Sequence, residues 1–345
     1  MYELSERHKL VLALVIHNYV ETAQPVGSHH LVENYRLGFS SATVRNVMVD
    51  LTEAGLLRQP HTSAGRVPTE EGYRYFVRQL MGQTELPDNT RRMISHQFYQ
   101  AGQDLKHWMR LAASVLANQS QAASIVTTPR PEKALFKHLE LIAIHGRMVL
   151  MVVVWSGGDI RQQMLNLAEP VSQELLSSTA SHLNQLLQGL DNEVFINLSQ
   201  NQLSALEQDI IKLIRDDITH MQQMITGEVY RDGLTLVLAE PEFAESETAR
   251  KALRVLEERS LLEDLLSRTV LSSSVDSVQV LIGGEDTWEE LRDCSMVLAR
   301  YGAPGLVTGA LGVLGPTRMA YGRTVSTVRF VSGLLSDLVV ELLTE

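Results

Sequence analysis

The organisation of the first eighty residues is decided by residues 40–68, which read SSATVRNVMVDLTEAGLLRQPHTSAGRVP. Ser40 and Ser41 are helix-capping residues. The apolar residues that follow recur at the spacing of one helix face: Val44, Val47, Met48 and Leu51. Gly55 can supply the left-handed cap that ends this helix. A short strand, the turn-rich loop 60–65 and a returning strand follow, so the stretch predicts a helix and a β-wing.

Two further helices are predicted before this stretch. Ser5 and Glu6 form a helix start, with a capping hydroxyl and an acid in the first turn. That helix must end before Pro25, because proline disfavours helix in the residue before it. A second helix is predicted over Ser28–Tyr35. Helix, helix, helix, strand, loop, strand is the order of a winged helix-turn-helix, and we assign residues 1–84 to it.

The outward face of the third predicted helix carries side chains that suit DNA recognition. Arg45 can pair with guanine and Asn46 with adenine. Ser41 and Thr43 at the helix N-terminus can donate to phosphate, and the wing can add backbone or minor-groove contacts. The predicted DNA-binding residues are Ser41, Thr43, Arg45, Asn46, Arg58, His61, Ser63 and Arg66. From pattern alone two alternatives stay open: these can be solvated surface residues, and winged helices also bind proteins.

The charge distribution separates this segment from the rest of the chain. Residues 1–81 contain eight basic and eight acidic residues, whereas the whole chain has 30 and 41 and a net charge of −11. The entire negative charge therefore lies beyond residue 81. Because DNA affinity rests largely on phosphate neutralisation, a neutral segment does not by itself favour a DNA partner.

Composition excludes several broad classes of protein. The longest apolar run, Met148–Trp155, has eight residues, whereas a membrane-spanning helix needs about twenty. The amino end lacks the basic and apolar stretches of a secretory signal. Cys294 is the single cysteine, so no internal disulfide and no thiolate metal cluster can form. We expect a soluble, multidomain, cytoplasmic protein with no membrane partner.

The body of the chain is predicted to be α+β. Period-two apolar patterns predict strands over 139–145, 147–154, 160–167, 278–282, 295–299 and 306–314. A helix is expected over 325–343, and a mostly antiparallel sheet flanked by helices defines an α+β domain. Residues 170–275 are mainly helical and acidic, which fits an insert between two strand-rich blocks. Their apolar stripes fit either a dimer surface or a single-chain core.

Three features invite an enzyme or metal-site interpretation: the glycines at 309, 312 and 315, the lone Cys294, and Asp216, Asp217 and His220 on one helix. The glycine spacing matches neither a dinucleotide fingerprint nor a Walker loop. A lone cysteine among apolar neighbours is usually a core residue, and no second cluster completes a metal coordination shell. We therefore predict that the protein is not an enzyme and has no metal and no cofactor.

Two blocks of longer motif are far more specific than a generic helix-turn-helix. The first comprises PVGS at 25–28, SATVRN at 41–46, LTEAGLL at 51–57, PHTSAGRVPT at 60–69 and GYR at 72–74. The second comprises IGGE at 282–285, CS at 294–295 and GVLGPTRM at 312–319. Together these blocks resemble the HrcA family of heat-inducible transcription repressors, and they bracket nearly the whole chain.

The resemblance implies a domain plan and a mechanism. It implies a GAF-like domain over 90–169 and 276–345, interrupted by an inserted dimerisation domain over 170–275. It further implies a homodimer on an inverted-repeat operator of the CIRCE type upstream of chaperone operons, kept competent by the GroE chaperonin. Heat-unfolded proteins would occupy the chaperonin and lower operator occupancy. A rival interpretation is a small-molecule-sensing winged-helix regulator that uses the GAF-like pocket.

Overall fold

The computed structural model describes residues 4–61, 64–82, 84–132, 135–155, 160–190, 203–223, 227–243, 246–270, 273–275, 277–283 and 288–344. Within these ranges only the backbone is described for residues 219–223, 246, 248–249 and 344. The structure combines helices with sheets whose recorded strand registers are all antiparallel, so the α+β class predicted from the sequence is confirmed.

The numbered elements run in chain order. The helices are α1 Glu6–Thr22, α2 Ser28–Tyr35, α3 Ser41–Glu53, α4 Glu70–Tyr75, α5 Asp88–Gln100, α6 Leu105–Ser120, α7 Gln173–Leu187, α8 Ala205–Gln223, α9 Leu234–Leu238, α10 Ser246–Glu257, α11 Arg259–Arg268 and α12 Tyr321–Thr344. The strands are β1 Leu57–Arg58, β2 Val67–Pro68, β3 Ala123–Thr127, β4 Arg130–Pro131, β5 Phe136–His145, β6 Met148–Trp155, β7 Ile160–Asn166, β8 Val229–Asp232, β9 Val278–Ile282, β10 Cys294–Ala303 and β11 Val307–Pro316. A single π-helical turn, Phe76–Leu80, continues α4.

The first six of these elements, α1 to α4 with β1 and β2 before α4, follow the order predicted from the sequence. Ser5 and Ser40 cap α1 and α3, the Ser40 Oγ accepting from the Thr43 amide at 3.1 Å. The predicted stripe of α3 is buried, with Val44 and Leu51 at 0% exposure. Gly55 has a φ of +76°, as a left-handed helix cap requires.

Two glycines of the first motif block are required by close backbone contacts. Val26 and Arg66 exchange a pair of 2.9 Å backbone hydrogen bonds beside the β1–β2 pair. A Cβ on Gly65 would lie 2.4 Å from the Val26 carbonyl oxygen, and one on Gly72 would lie 2.2 Å from that of Leu56. Any larger residue at either position would push the wing or α4 away, so the motif encodes close packing.

The chain divides into two compact units. Unit 1 comprises Met1–Thr128, Glu228–Gly302 and Gly309–Glu345, and unit 2 comprises Pro129–Gly227 and Ala303–Thr308. Unit 1 contains a sheet in the order β8-β3-β11-β10-β9. The short strand β4 pairs with Val307 and Thr308, and all four of these paired residues belong to unit 2. Helices α6 and α12 carry long buried stripes that belong to the core of unit 1.

Unit 2 is built on the separate three-stranded sheet β5-β6-β7. Gly146, with a φ of +58°, forms the predicted hairpin turn between β5 and β6. One face of this sheet packs on α7 and α8, whose fully buried residues include Leu183, Ile214 and Ile218. The apolar stripe of α8 is therefore single-chain core, one of the two alternatives that its sequence left open.

This division differs from the predicted domain boundaries. The hairpin and third strand, expected within the GAF-like domain over 90–169, belong to unit 2 together with α7 and α8. Residues 228–275, expected within the insert over 170–275, belong to unit 1, where β8 pairs with β3. The difference has a simple cause: the sequence pattern predicts a strand but does not say which sheet the strand joins.

The residues just before α5 are packed against α12. Thr84 donates to the Gly322 carbonyl at 2.9 Å, and Ser326 donates to the Thr84 carbonyl at 2.8 Å. Leu86 is buried, and α5 begins at once at Asp88. Within the described ranges, no helix has both the length and the apolarity needed to cross a membrane.

Candidate nucleic-acid interface

The outward face of α3 is exposed in the folded chain. Ala42, Arg45, Asn46 and Val49 all lie on the solvent side, opposite the buried stripe. Val49 is 36% exposed. Within the described part of the chain, Arg45 and Asn46 have no recorded hydrogen bond or ion pair. Their polar groups are therefore available to an external partner.

The N-terminus of α3 is partly occupied by its own cap. Ser40 accepts the Thr43 amide, and its Oγ lies 2.9 Å from Thr43 Oγ1. Thr43 and Ser41 are both half-buried. An incoming phosphate would therefore meet a helix end that keeps its dipole but whose Thr43 amide is already bonded.

The wing is fastened to α3 through Arg66. The Arg66 Nε donates to Thr52 Oγ1 at 2.9 Å, and the same Thr52 hydroxyl donates to the Met48 carbonyl at 2.7 Å. Arg66 is thus half-buried and serves the packing of the wing, a role that the sequence prediction of a DNA contact did not include. His61 is exposed at the start of the wing loop, and Ser63 lies outside the described residues.

Arg58 lies in a different environment from the other predicted residues. It is exposed on β1 and lines a cavity of about 640 Å³ together with Tyr19, Glu242 and Arg318. Burial, followed by the charge of Glu242, raises the pKa of Tyr19, and the nearby Arg58 partly offsets this. The cavity beside Arg58 is thus lined by the N-terminal segment and by the second half of unit 1, and no exposed residue of α3 lines it.

A polar contact on α3 was not anticipated from the sequence. Asp50 Oδ2 lies 3.2 Å from His8 Nε2, and His8 Nδ1 lies 2.6 Å from Ser5 Oγ. These two polar contacts link the exposed edge of α3 to the start of α1. Since His8 and Asp50 are 42 residues apart, no local pattern could have revealed the pair.

The two motif blocks of the sequence meet in unit 1. Arg74, from the first block, donates to the Ile282 carbonyl at 2.7 Å and to Glu71 Oε1 at 2.6 Å. Next along the second block, Gly283 has a φ of +65°, and a Cβ there would lie 2.3 Å from Glu70 Oε2. The motifs therefore form a junction between the N-terminal segment and the sheet of unit 1.

Arg318 forms a second point of this junction. Its side chain, 12% exposed, is hydrogen-bonded to Glu240, Glu242 and the Val20 carbonyl, the last at 3.2 Å. Burial lowers the pKa of Arg318, but the hydrogen bonds and charges of the two carboxylates raise it by more. The guanidinium stays charged, and sequence reasoning identified neither Arg318 nor Arg74 as functional.

Two of the features that invited an enzyme interpretation, the glycines and Cys294, have packing explanations, and the His220 side chain lies outside the described residues. A Cβ on Gly309 would lie 2.6 Å from the Tyr301 ring, and one on Gly312 would lie 2.5 Å from the Val297 carbonyl. Burial, followed by the charge of Asp293, raises the pKa of the buried Cys294 to about 12, so the thiol is a poor nucleophile. Among the described residues, no group of three or more His, Cys, Asp or Glu side chains could hold a metal ion.

Comparison with known proteins identifies the family. The profile described as "HrcA protein C terminal domain" matches residues 106–325. A heat-inducible transcription repressor HrcA of Herpetosiphon aurantiacus is 43% identical, covering 99% of this chain and 96% of that protein. One from Roseiflexus castenholzii is 44% identical with the same coverage. A crystal structure of a hypothetical protein, 21% identical, has a TM-score of 0.62 and covers 98% of this chain and 99% of that one, which supports the fold alone.

These relatives are heat-inducible transcription repressors, and they match this chain over nearly its whole length. The class of protein is therefore that of a heat-inducible transcription repressor. The chain belongs to the HrcA family, as its two motif blocks indicated.

Proposed function

We propose that this protein represses chaperone operons by binding an inverted-repeat, CIRCE-type operator as a homodimer. The observation that carries the proposal is the exposed face of α3, on which Arg45 and Asn46 have no recorded partner within the described chain. Residues 1–84 act as a winged helix in this account, and α3 enters the major groove. Arg45 reads guanine and Asn46 reads adenine, as their side-chain geometries allow.

The neutral N-terminal segment limits what phosphate contacts alone can contribute. With eight basic residues balanced by eight acidic ones, a single copy gains little from non-specific attraction to DNA. Affinity then depends on base contacts and on two copies binding one operator at once. This dependence supports a dimer and makes binding selective for paired half-sites.

The outer face of the β5-β6-β7 sheet is the dimer surface that we propose. Ile142, Leu150 and Met164 form one row across the three strands, on the face opposite the α7–α8 core. Ile144 is 53% exposed and Ile160 is 60% exposed. A sheet that is apolar on both faces is expected to be covered on both. The proposed interface thus lies on the strands of unit 2 and not on the helices first expected.

Dependence on the GroE chaperonin is proposed on the family resemblance. A chain whose apolar sheet face is uncovered until it pairs is open to aggregation during folding. Marginal stability would then let a small loss of folding assistance lower the amount of active dimer. The same account proposes a cytoplasmic protein without cofactor, metal, membrane partner or catalytic activity.

A small-molecule-sensing regulator is the second candidate, and one cavity favours it. A space of about 650 Å³ is lined by two arginines and two acids, Arg91, Arg329, Glu85 and Asp337, and by apolar residues that include Phe330 and Leu334. A ligand with an apolar body and a charged polar group would suit it. A metabolite that raises the melting temperature of the wild type, but not that of Arg329→Ala, would support this candidate.

The proposed function is tested by selecting DNA with the purified full-length chain. Random duplexes retained by the protein should converge on an inverted repeat, and that repeat should occur upstream of the source genome's chaperone operons. A gel shift on that promoter should strengthen when chaperonin is added to freshly refolded protein. Retention of DNA without any enriched sequence would contradict sequence-specific repression.

A further inference from the structure

Two buried arginines fasten the N-terminal segment to the rest of unit 1, and the first is Arg318. Since α1 ends at Thr22, the Val20 carbonyl is one of four that have no partner inside the helix. Arg318 donates to it and brings a positive charge to the negative end of the helix. A side chain of the second motif block therefore caps a helix of the DNA-binding segment.

Arg74 makes the second attachment, from α4. Its side chain is 14% exposed, and it donates to the Ile282 carbonyl at the end of β9. Because the two attachments lie on different helices of the N-terminal segment, that segment cannot turn about either one alone. Two such contacts restrict the orientation of the N-terminal segment, whereas a single contact would leave the segment free to rotate about it.

The partners of Arg318 are suited to setting geometry more than to adding stability. Glu240 and Glu242 flank Pro241 in the turn after α9, and each side chain is 27% exposed. Partly exposed ion pairs contribute little net stability. Hydrogen bonds from a guanidinium are nevertheless strongly directional, since its donors lie in a rigid plane.

We propose that Arg318 and Arg74 are positioning residues for operator binding, which hold the winged helix at one angle to the sheet of unit 1 and so narrow the range of half-site spacings that the dimer accepts. The inference rests on the proposed function. A dimer gains affinity over a single half-site only when both recognition helices reach their sites together. A rigid attachment makes that gain depend steeply on spacing, and a loose attachment flattens the dependence.

The experiment compares the full-length wild type with Arg318→Met on a set of labelled duplexes. The set holds the selected inverted repeat, the same repeat with two or five base pairs inserted at its centre, and a single half-site. Arg323→Met is the matched control: Arg323 lies on the nearby α12, is exposed, and makes a 3.1 Å hydrogen bond to Gln119. Arg323→Met removes the same positive charge as Arg318→Met.

The wild type and Arg323→Met should lose about a hundredfold in affinity when five base pairs are inserted, because half a helical turn puts the half-sites on opposite faces. Arg318→Met should lose less than about tenfold on the same insertion while its affinity for the single half-site stays within about threefold of wild type. Arg318→Lys, which keeps the charge without the planar fork, should fall between them.

An Arg318→Met protein with the wild-type spacing profile would overturn the inference. So would an equal loss on every duplex including the half-site, which indicates a folding role. Should Arg318→Met fail to fold by circular dichroism, Glu242→Gln and Arg74→Lys apply the same test. If the wild type prefers no spacing and no sequence, the proposed function itself fails, and that result is distinct from the others.

Discussion

The Nε of Arg66, in the wing, donates a 2.9 Å hydrogen bond to Oγ1 of Thr52, on α3. This bond links the wing to the helix, although 14 residues separate the two partners. Arg66 was expected to touch DNA, and its half-buried guanidinium already has a partner within the protein. The bond gives the wing a defined place beside α3 before any DNA arrives.

Thr52→Val should loosen the wing without touching DNA. Valine matches threonine in shape but cannot accept the Arg66 hydrogen bond, which contributes about 1 kcal/mol. We expect urea titration to show a free energy of unfolding lower by about that amount. We also expect a two- to tenfold weaker operator complex, roughly the range of a 0.5–1.4 kcal/mol loss. Arg66→Lys should give a similar loss of affinity. If Arg66→Lys weakens binding greatly while Thr52→Val leaves it unchanged, Arg66 acts directly on DNA.

Met164→Lys should dissociate the dimer. Met164 is 50% exposed on the outer face of the unit 2 sheet, next to Leu150. Burying an unpaired ammonium in an apolar interface is costly, so the dimer dissociation constant should rise at least about tenfold. Sedimentation equilibrium measures it directly. Leu175→Lys is the control, since Leu175 is 53% exposed on α7 of the same unit. A dimer that survives Met164→Lys intact would move the interface elsewhere.

Glu207→Gln should make unit 2 less stable near neutral pH. Glu207 and Ser204 form a reciprocal cap at the start of α8, and His182 Nδ1 lies 2.6 Å from Glu207 Oε1. Burial raises the pKa of Glu207, but the hydrogen bonds from His182 and Ser204 lower it by more, so the net shift is downward. The cap contributes about 0.5–2 kcal/mol.

The stability that Glu207 provides is therefore present above its ordinary pKa of 4.5 and is lost as the pH falls through the lowered value. Urea unfolding at pH 7 should separate wild type from Glu207→Gln, and the gap should narrow progressively below pH 4.5. Glu174→Gln, an exposed acid in the first turn of α7, is the control and should shift the midpoint little. A gap that widens in acid would contradict this assignment.

Cys294 should react with a thiol reagent only when unit 1 opens. The thiol is 1% exposed, and its pKa is raised from 9.0 to about 12, so at pH 8 it is neutral and shielded. Labelling by a disulfide reagent should be slow in the folded protein and complete in denaturant. Rapid stoichiometric labelling of the folded chain would contradict a buried, protonated Cys294 thiol.

The same shift carries a stability consequence. Because the folded pKa of Cys294 lies above its unfolded value, the folded state favours the protonated thiol, and stability falls as the pH rises from about 9 towards 12. Cys294→Ser should lessen that alkaline loss, measured as the change in unfolding midpoint between pH 8 and pH 10.

Helix caps and turns, which depend on a few neighbouring residues, could be predicted from the sequence. Ser5, Ser40 and Gly55 cap helices as their types predict, and Gly146 forms the expected hairpin turn. The exposed side chains of α3 followed from the buried stripe on the opposite face. Each of these features depends on neighbours within a few residues along the chain.

The assembly of sheets was not readable in the same way. Leu139 and Met164 lie in strands with clear apolar patterns, yet nothing in those patterns says that their sheet is separate from that of β10 and β11. The bonds from Arg74 to Ile282 and from Arg318 to Val20 span 208 and 298 residues. The two motif blocks contain Arg74 and Arg318, but only the fold shows that these arginines contact Ile282 and Val20.

Arg45→Ala and Asn46→Ala should each reduce discrimination between the operator and a mutated half-site by about 1–3 kcal/mol. Far-UV circular dichroism should not change, because both side chains are exposed and have no recorded partner within the described chain. Equal losses on operator and random DNA would instead make them phosphate contacts, which position without specifying.

The most direct test of the central claim is methylation protection of the bound operator by dimethyl sulfate, which reports guanine N7 in the major groove and adenine N3 in the minor groove. With α3 in the major groove of each half-site, the wild type should protect guanine N7 symmetrically about the centre of the repeat, and Arg45→Ala should lose that protection at one guanine per half-site. Protection confined to adenine N3, or a pattern that Arg45→Ala leaves unchanged, would contradict the account.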